Sequence, residues 1–245
     1  MHATSQQSKS TALFCGRMLR MSSRVAKRQA IEAQILDLGR TQLATVGAAA
    51  LSLRAIAREL GMVSSAIYRY VESRDELLTR LVVEAYGELG DAVDAAVSKT
   101  TDVPRERVYV LANAFRDWSI ANTAQFALLY GSPVPGYHAP AERTVEPGTR
   151  VMRTLIGTLA QAAVVGELAV SGDVDAELTH DLAAVRAEVG VELDDAGLVF
   201  AVSLWTWLIG AVSQEIFGGF GSDTFSAPAL LFDAQLRQRL DGTSG

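Results

Sequence analysis

Cysteine is nearly missing from this sequence: Cys15 stands alone among 245 residues. One thiol excludes an internal disulfide framework and a cysteine-rich zinc site, and it fits a reducing compartment, the cytoplasm. Histidine is almost as scarce, and His2, His138 and His180 are too far apart in sequence to read as a ligand cluster. No glycine-rich phosphate loop and no nucleophile elbow occurs. Asp and Glu are plentiful, but none has an evident catalytic partner, so no enzyme, metal or cofactor is expected. Segments of alternating polarity and internal repeats are also lacking, which points to an all-α fold. Residues 11–16 are too short for the apolar core of a signal peptide, and no small-residue cleavage motif follows.

What is present is a globular chain, 49% hydrophobic and 20% charged. Its net charge of −6 hides an uneven distribution. Up to Arg80 there are 12 Lys and Arg against 6 Asp and Glu; beyond it there are 10 against 22. A basic head on an acidic body is the electrostatic pattern expected of a nucleic-acid reader. One uncharged run, residues 196–214, approaches membrane-spanning length. It carries Ser203, Thr206 and Ser213, is flanked by Asp194, Asp195 and Glu215, and has no adjoining Lys or Arg to orient it. It therefore reads as a helix buried all round inside protein, with no membrane partner.

The chain is organised around residues 52–78, SLRAIARELGMVSSAIYRYVESRDELL. Leu53, Ile56, Ala57 and Leu60 fall on one helical face, with Arg54, Arg58 and Glu59 opposite. Ser52 can cap that helix and Gly61 can end it. A second short helix is expected from about Ser64. Its period turns Val63, Ala66, Ile67 and Tyr70 to one side and Ser64, Ser65, Tyr68 and Arg69 to the other. Hydroxyls, then a phenol, then a guanidinium suit a face that enters a major groove, where hydroxyls reach base edges and longer side chains reach phosphates. Ser73 and Glu76 have capping-box spacing, so a third helix is expected there. Arg74 in its first turn makes a natural phosphate site.

This run resembles the N-terminal DNA-binding domain of the TetR family of transcriptional regulators. The family pattern is kept at Ser52, Arg54, Ile56, Ala57, Gly61, Ala66, Ile67, Tyr68, Tyr70 and Leu77. Val63 replaces the usual capping Ser, Val71 replaces Phe, and Arg74 stands for Lys. The resemblance implies DNA contacts from Ser52, Arg54, Ser64, Ser65, Tyr68, Arg69, Tyr70 and Arg74. In the second half, WSIANTAQFALLYGSPVPGY and SLWTWLIG resemble the C-terminal domain of the subgroup named for a Trp-His-Gly signature. Trp205 and Gly210 fit it, whereas Ile209 stands where His is usual.

Three segments are expected: a flexible basic arm (1–23), a helix-turn-helix domain (24–80), and a helical effector-binding and dimerisation domain (81–245). The arm carries Lys9, Arg17 and Arg20, and a helix follows over residues 25–46. The third helix runs to about Ser98, and others span 104–122, a short stretch around Phe126, 150–170, 176–189, 195–217 and 227–240. Residues 131–140, rich in proline and glycine, form a loop. Trp118, Phe126, Tyr130, Tyr137 and Met152 are the expected walls of an effector pocket, since aromatic surfaces with few polar anchors suit a small apolar ligand.

The resemblance further implies a homodimer, paired through the last two long helices with Leu198, Val202, Trp205, Ile209 and Val212 at the interface. Such a dimer would bind double-stranded DNA at a palindromic operator, in the cytoplasm and on the nucleoid, most often as a repressor released by its effector. Two other classes of function remain open on the sequence alone. One is an adaptor that acts mainly through a protein partner, and the other a helical enzyme or small-molecule carrier. Sequence-specific DNA affinity separates the regulator from both.

Overall fold

The computed structural model describes residues 4–221 and 224–242, with side chains from Arg24 onward. All regular structure among the described residues is helical. The chain divides into two compact units, Met1–Leu81 and Val82–Gly245.

In the first unit, α1 (Thr4–Val46) leads through a short 3₁₀ turn at Ala48–Ala50 to α2 (Leu53–Glu59). The helix expected from Val25 begins already at Thr4, and the side chains of the expected basic arm lie outside the described residues. Gly47 and Gly61 both take positive φ, at 76° and 65°. Gly61 closes α2 with two bonds, from its own amide to the Arg58 carbonyl and from the Met62 amide to the Ala57 carbonyl. Ser52 caps the start, its hydroxyl accepting from the Ala55 amide at 3.4 Å. The core holds Ile35, Leu43, Leu53, Ile56, Ala57, Ile67, Val71, Leu77 and Leu78. Helix α3 (Arg74–Val97) starts in this unit, with the Ser73 hydroxyl accepting from the Glu76 amide at 3.0 Å.

The expected second helix is wound differently. Residues 64–66 form turns and Ile67–Arg69 a 3₁₀ segment. The bonds run three residues back, from the Ala66 amide to the Val63 carbonyl and from Arg69 to Ala66. Val63 and Ala66 offer no side-chain oxygen to hold the first amides, so an α-helix gains no cap there. Val63, expected inward, is 72% exposed.

The second unit contains the rest of α3 with α4 (Pro104–Ala121), α5 (Thr123–Tyr130), α6 (Ala141–Val164), α7 (Ala176–Val189), α8 (Asp195–Ile216) and α9 (Pro228–Asp241). Helix α6 starts nearer Pro140 than the expected Arg150 and carries Pro147 inside it. The proline is tolerated because it lies close to the exposed start of the helix, where the loss of one amide donor costs little. Gly166, at φ 76°, then ends the helix before the expected Val170.

Helix α8 packs against α4, α5, α6, α7 and α9. By length and composition it could cross a membrane. It is not buried all round, as the sequence suggested. Leu198, Ala201, Leu204, Leu208 and Val212 face the core, while Val199, Val202, Ser203, Thr206 and Gly210 are exposed. Arg116 of α4 grips Glu215 of α8 through Nε at 2.8 Å and through Nη2, with both side chains mostly buried. Two charges so desolvated require this two-bonded geometry to offset the cost of burying them.

Candidate DNA-reading face and ligand cavity

The reading face rests on Ile67, which is fully buried. Burying that side chain contributes about 2 kcal/mol and pins the turn to the core of the first unit. Around it Ser64, Ser65, Tyr68 and Arg69 are exposed, as the sequence indicated. Arg54 and Arg58 of α2 are exposed as well. Hydroxyls, one phenol and three guanidiniums thus lie on the exposed side of two short elements.

Three expected contact residues also have structural work. Ser52 spends its hydroxyl on the cap of α2. Its main chain is bracketed by Gln42, whose Oε1 accepts from the Ser52 amide at 2.8 Å and whose Nε2 donates to the Ser52 carbonyl at 3.4 Å. Arg74 donates to the carbonyls of Ala48 and Ala49 at 2.9 and 3.1 Å, closing the turn between α1 and α2. Tyr70 is half-buried, with the Arg28 guanidinium 5.9 Å from its ring centre. Arg28 also donates to the Arg69 carbonyl at 3.1 Å, securing the end of the 3₁₀ segment. Nothing local in the sequence signals these roles of Arg28 and Gln42.

In the second unit a cavity of about 490 Å³ opens between α3, the end of α5, the 131–140 loop and the start of α6. Val82, Tyr86, Leu128, Leu129, Tyr137, Val145 and Gly148 are among its walls. Of the expected pocket residues only Tyr137 lines it. Trp118 and Phe126 are core, Met152 packs against the core, and Tyr130 sits in the aromatic cluster behind the wall. The Tyr130 ring lies 5.8 Å from Phe115, 5.3 Å from Phe126, 6.3 Å from Trp205 and 6.2 Å from Tyr86. Burial pushes the phenols of Tyr130 and Tyr86 above their ordinary value; each is raised further by its phenol neighbour, Tyr86 for Tyr130 and Tyr137 for Tyr86. Tyr86 was missed because helical periodicity places it on a face but says nothing of what that face meets.

The expected dimer residues also divide. Leu198 and Val212 are core, Trp205 and Ile209 are partly buried against it, and Val202 is 42% exposed. The uncovered stripe of α8 lies one step round the helix from the expected one.

Two family models match. One, for bacterial regulatory proteins of the tetR family, covers residues 35–81, and the other, for the tetracyclin repressor-like C-terminal domain, covers residues 108–238. The chain belongs to the TetR family. It is 47% identical over 220 residues to the HTH-type transcriptional regulators Rv1816 of Mycobacterium tuberculosis and Mb1846 of Mycobacterium bovis, covering 89% of this chain and 94% of each relative. Among solved structures it is similar to the regulatory protein SCO4313, at 34% identity and a TM-score of 0.72, over 88% of this chain and 98% of that one. This TetR-family chain is accordingly a helix-turn-helix transcriptional regulator.

Proposed function

We propose that the protein is a ligand-responsive repressor that binds a palindromic operator as a homodimer and is released by a small apolar effector. The observation that carries the reading is the exposed set Ser64, Ser65, Tyr68 and Arg69, held from behind by buried Ile67 and by Arg28. Each half-site receives one such turn in its major groove, with half-sites roughly 34–36 Å apart. Arg54, Tyr68 and Arg69 hold phosphates, and Ser64 and Ser65 address base edges. The two copies pair through the uncovered faces of α8 and α9, where Val199, Val202 and Leu230 are exposed. The effector occupies the cavity walled by Tyr86 and Tyr137. Trp205 and Gly210 support a place in the Trp-His-Gly subgroup, with Ile209 as the departure. The protein acts in the cytoplasm, on the nucleoid.

Footprinting on the intergenic DNA beside its own gene, across a salt series, tests this reading. A protected palindrome whose affinity falls steeply with salt is expected. Weak binding that is blind to sequence would refute it.

A further inference from the structure

The cavity is unusual in what its polar atoms are already doing. None of its lining side chains is Asp, Glu, Lys, Arg or His. Thr144 and Thr149 donate their hydroxyl protons to the carbonyls of Pro140 and Val145, at 2.9 and 2.8 Å. Ser132 is exposed at the rim. Arg150, the residue after Thr149, is committed to Asp94 and Asp91 at 2.6 and 2.8 Å. The Tyr86 hydroxyl, by contrast, has no hydrogen-bond partner among the described residues.

The Tyr86 ring is held in place. Gly148 of α6 faces it so closely that a Cβ there would stand 3.2 Å from the ring. The Tyr130 ring meets it edge-on, at 81° and 6.2 Å. A clamped ring fixes where its hydroxyl points, so a ligand bonded there loses little further freedom on binding. That phenol is protonated at neutral pH, burial and the neighbouring Tyr137 push its ionisation higher still, and a protonated phenol donates better than it accepts. An ionised ligand group would enter walls that offer no opposite charge, and an unpaired charge out of water is strongly disfavoured.

We propose that this cavity selects an uncharged, mainly aromatic or alicyclic molecule carrying one hydrogen-bond acceptor, a ketone or ester carbonyl, which takes the bond from the Tyr86 hydroxyl. The proposal rests on the cavity being the effector site. A volume of about 490 Å³ holds one such molecule of two to three rings.

Three naphthalenes of nearly one shape test the chemistry on the full-length protein by equilibrium dialysis. They are 2-acetylnaphthalene, neutral with an acceptor; 2-ethylnaphthalene, neutral without one; and 2-naphthoate, an anion. The ketone is expected to bind about fivefold tighter than the hydrocarbon, as one net hydrogen bond would give, and naphthoate at least tenfold weaker than the ketone. Tyr86→Phe, which removes an oxygen and keeps the ring, should bring ketone and hydrocarbon to parity. Tyr109→Phe, which removes the same oxygen from a ring that does not line this cavity, should leave their ratio unchanged. Naphthoate matching the ketone, an unchanged ratio in Tyr86→Phe, or no saturable ketone binding would each overturn the proposal. Operator affinity measured alongside separates the two readings. Ketone binding that depends on Tyr86 but leaves DNA affinity unmoved supports the cavity chemistry and refutes the effector role. DNA release by naphthoate supports the effector role and overturns the neutral-ligand proposal.

Discussion

The Arg28 guanidinium donates to the main-chain carbonyl of Arg69, 41 residues further along the chain, at 3.1 Å. One side chain of α1 therefore finishes the hydrogen bonding of the turn that presents Ser65, Tyr68 and Arg69. The same guanidinium lies over Tyr70 and pairs with Glu32 at 2.8 Å. The reading turn is only one 3₁₀ segment long and has no side-chain cap, so it depends on such outside contacts.

Replacing Arg28 by Ala should loosen that turn without unfolding the domain. Operator affinity is expected to fall about tenfold, a loss near 1.4 kcal/mol, with preference among half-site variants flattened. Global stability should drop by no more than about 1 kcal/mol, because the site is exposed. Anisotropy titrations against operator and mutated operators, beside urea unfolding, measure both. A loss of stability without a loss of sequence preference would show that Arg28 merely holds the fold.

Val63 stands where its carbonyl accepts the Ala66 amide, the position from which a Ser would also offer its hydroxyl. Val63→Ser should therefore stabilise the head by about 1 kcal/mol and draw the turn towards an α-helix. A rise in urea midpoint with unchanged slope would confirm it. An unchanged midpoint would mean that the first amides of the turn are satisfied by water.

Arg74 has a structural role that its position in the sequence did not signal. Its position in the first turn of α3 suggested a phosphate contact, yet its guanidinium closes on the Ala48 and Ala49 carbonyls. Arg74→Ala should cost about 1–2 kcal/mol of stability, since two carbonyls lose a charged donor. The salt slope of DNA binding should change less than in Arg69→Ala, where a decrease of about one is expected. An equal change in slope for both variants would restore Arg74 to the phosphate contacts.

What could be read in advance follows from how far apart the determinants lie. The Ser52 and Ser73 caps and the Gly61 stop are each settled within about four residues, and the sequence displayed them. Arg28 on Arg69 and Gln42 on Ser52 depend on contacts 41 and 10 residues apart, with no local mark. The same limit applies to the walls of the cavity. Trp118 and Phe126 are as aromatic as Tyr137, and only the packing of α4, α5 and α8 makes the first two core. In α8 both faces are apolar, so periodicity could not say that Val199 and Val202 face out while Leu198 and Val212 face in.

That outward face yields a prediction about assembly. Val199, Val202, Thr206 and Gly210 form an uncharged, uncovered stripe along α8, and Val202→Asp would place a charge at its middle. The variant is expected to shift the protein to monomer in light scattering and to abolish operator binding, while helical content stays the same. In the single chain Val202 is already 42% exposed, so little folding cost is expected. A variant that remains dimeric would move the interface to α9, around Leu230.

The partly buried phenols of Tyr86 and Tyr130 should make the unit containing α8 sensitive to alkali. In the folded chain Tyr130 and Tyr86 hold their protons above the ordinary value near 10, chiefly because burial disfavours phenolate. The unfolded chain releases them near pH 10. Above that pH the unfolded state binds fewer protons than the folded state, so stability falls as pH rises. Below pH 10 both states are protonated and the contribution is constant. Absorbance of phenolate near 295 nm should then show exposed tyrosines titrating first, with a late component appearing together with unfolding. Tyr130→Phe should shrink that late component and push the alkaline unfolding transition to higher pH. A Tyr130→Phe protein with an unchanged alkaline transition would show that this ring does not govern the loss of structure.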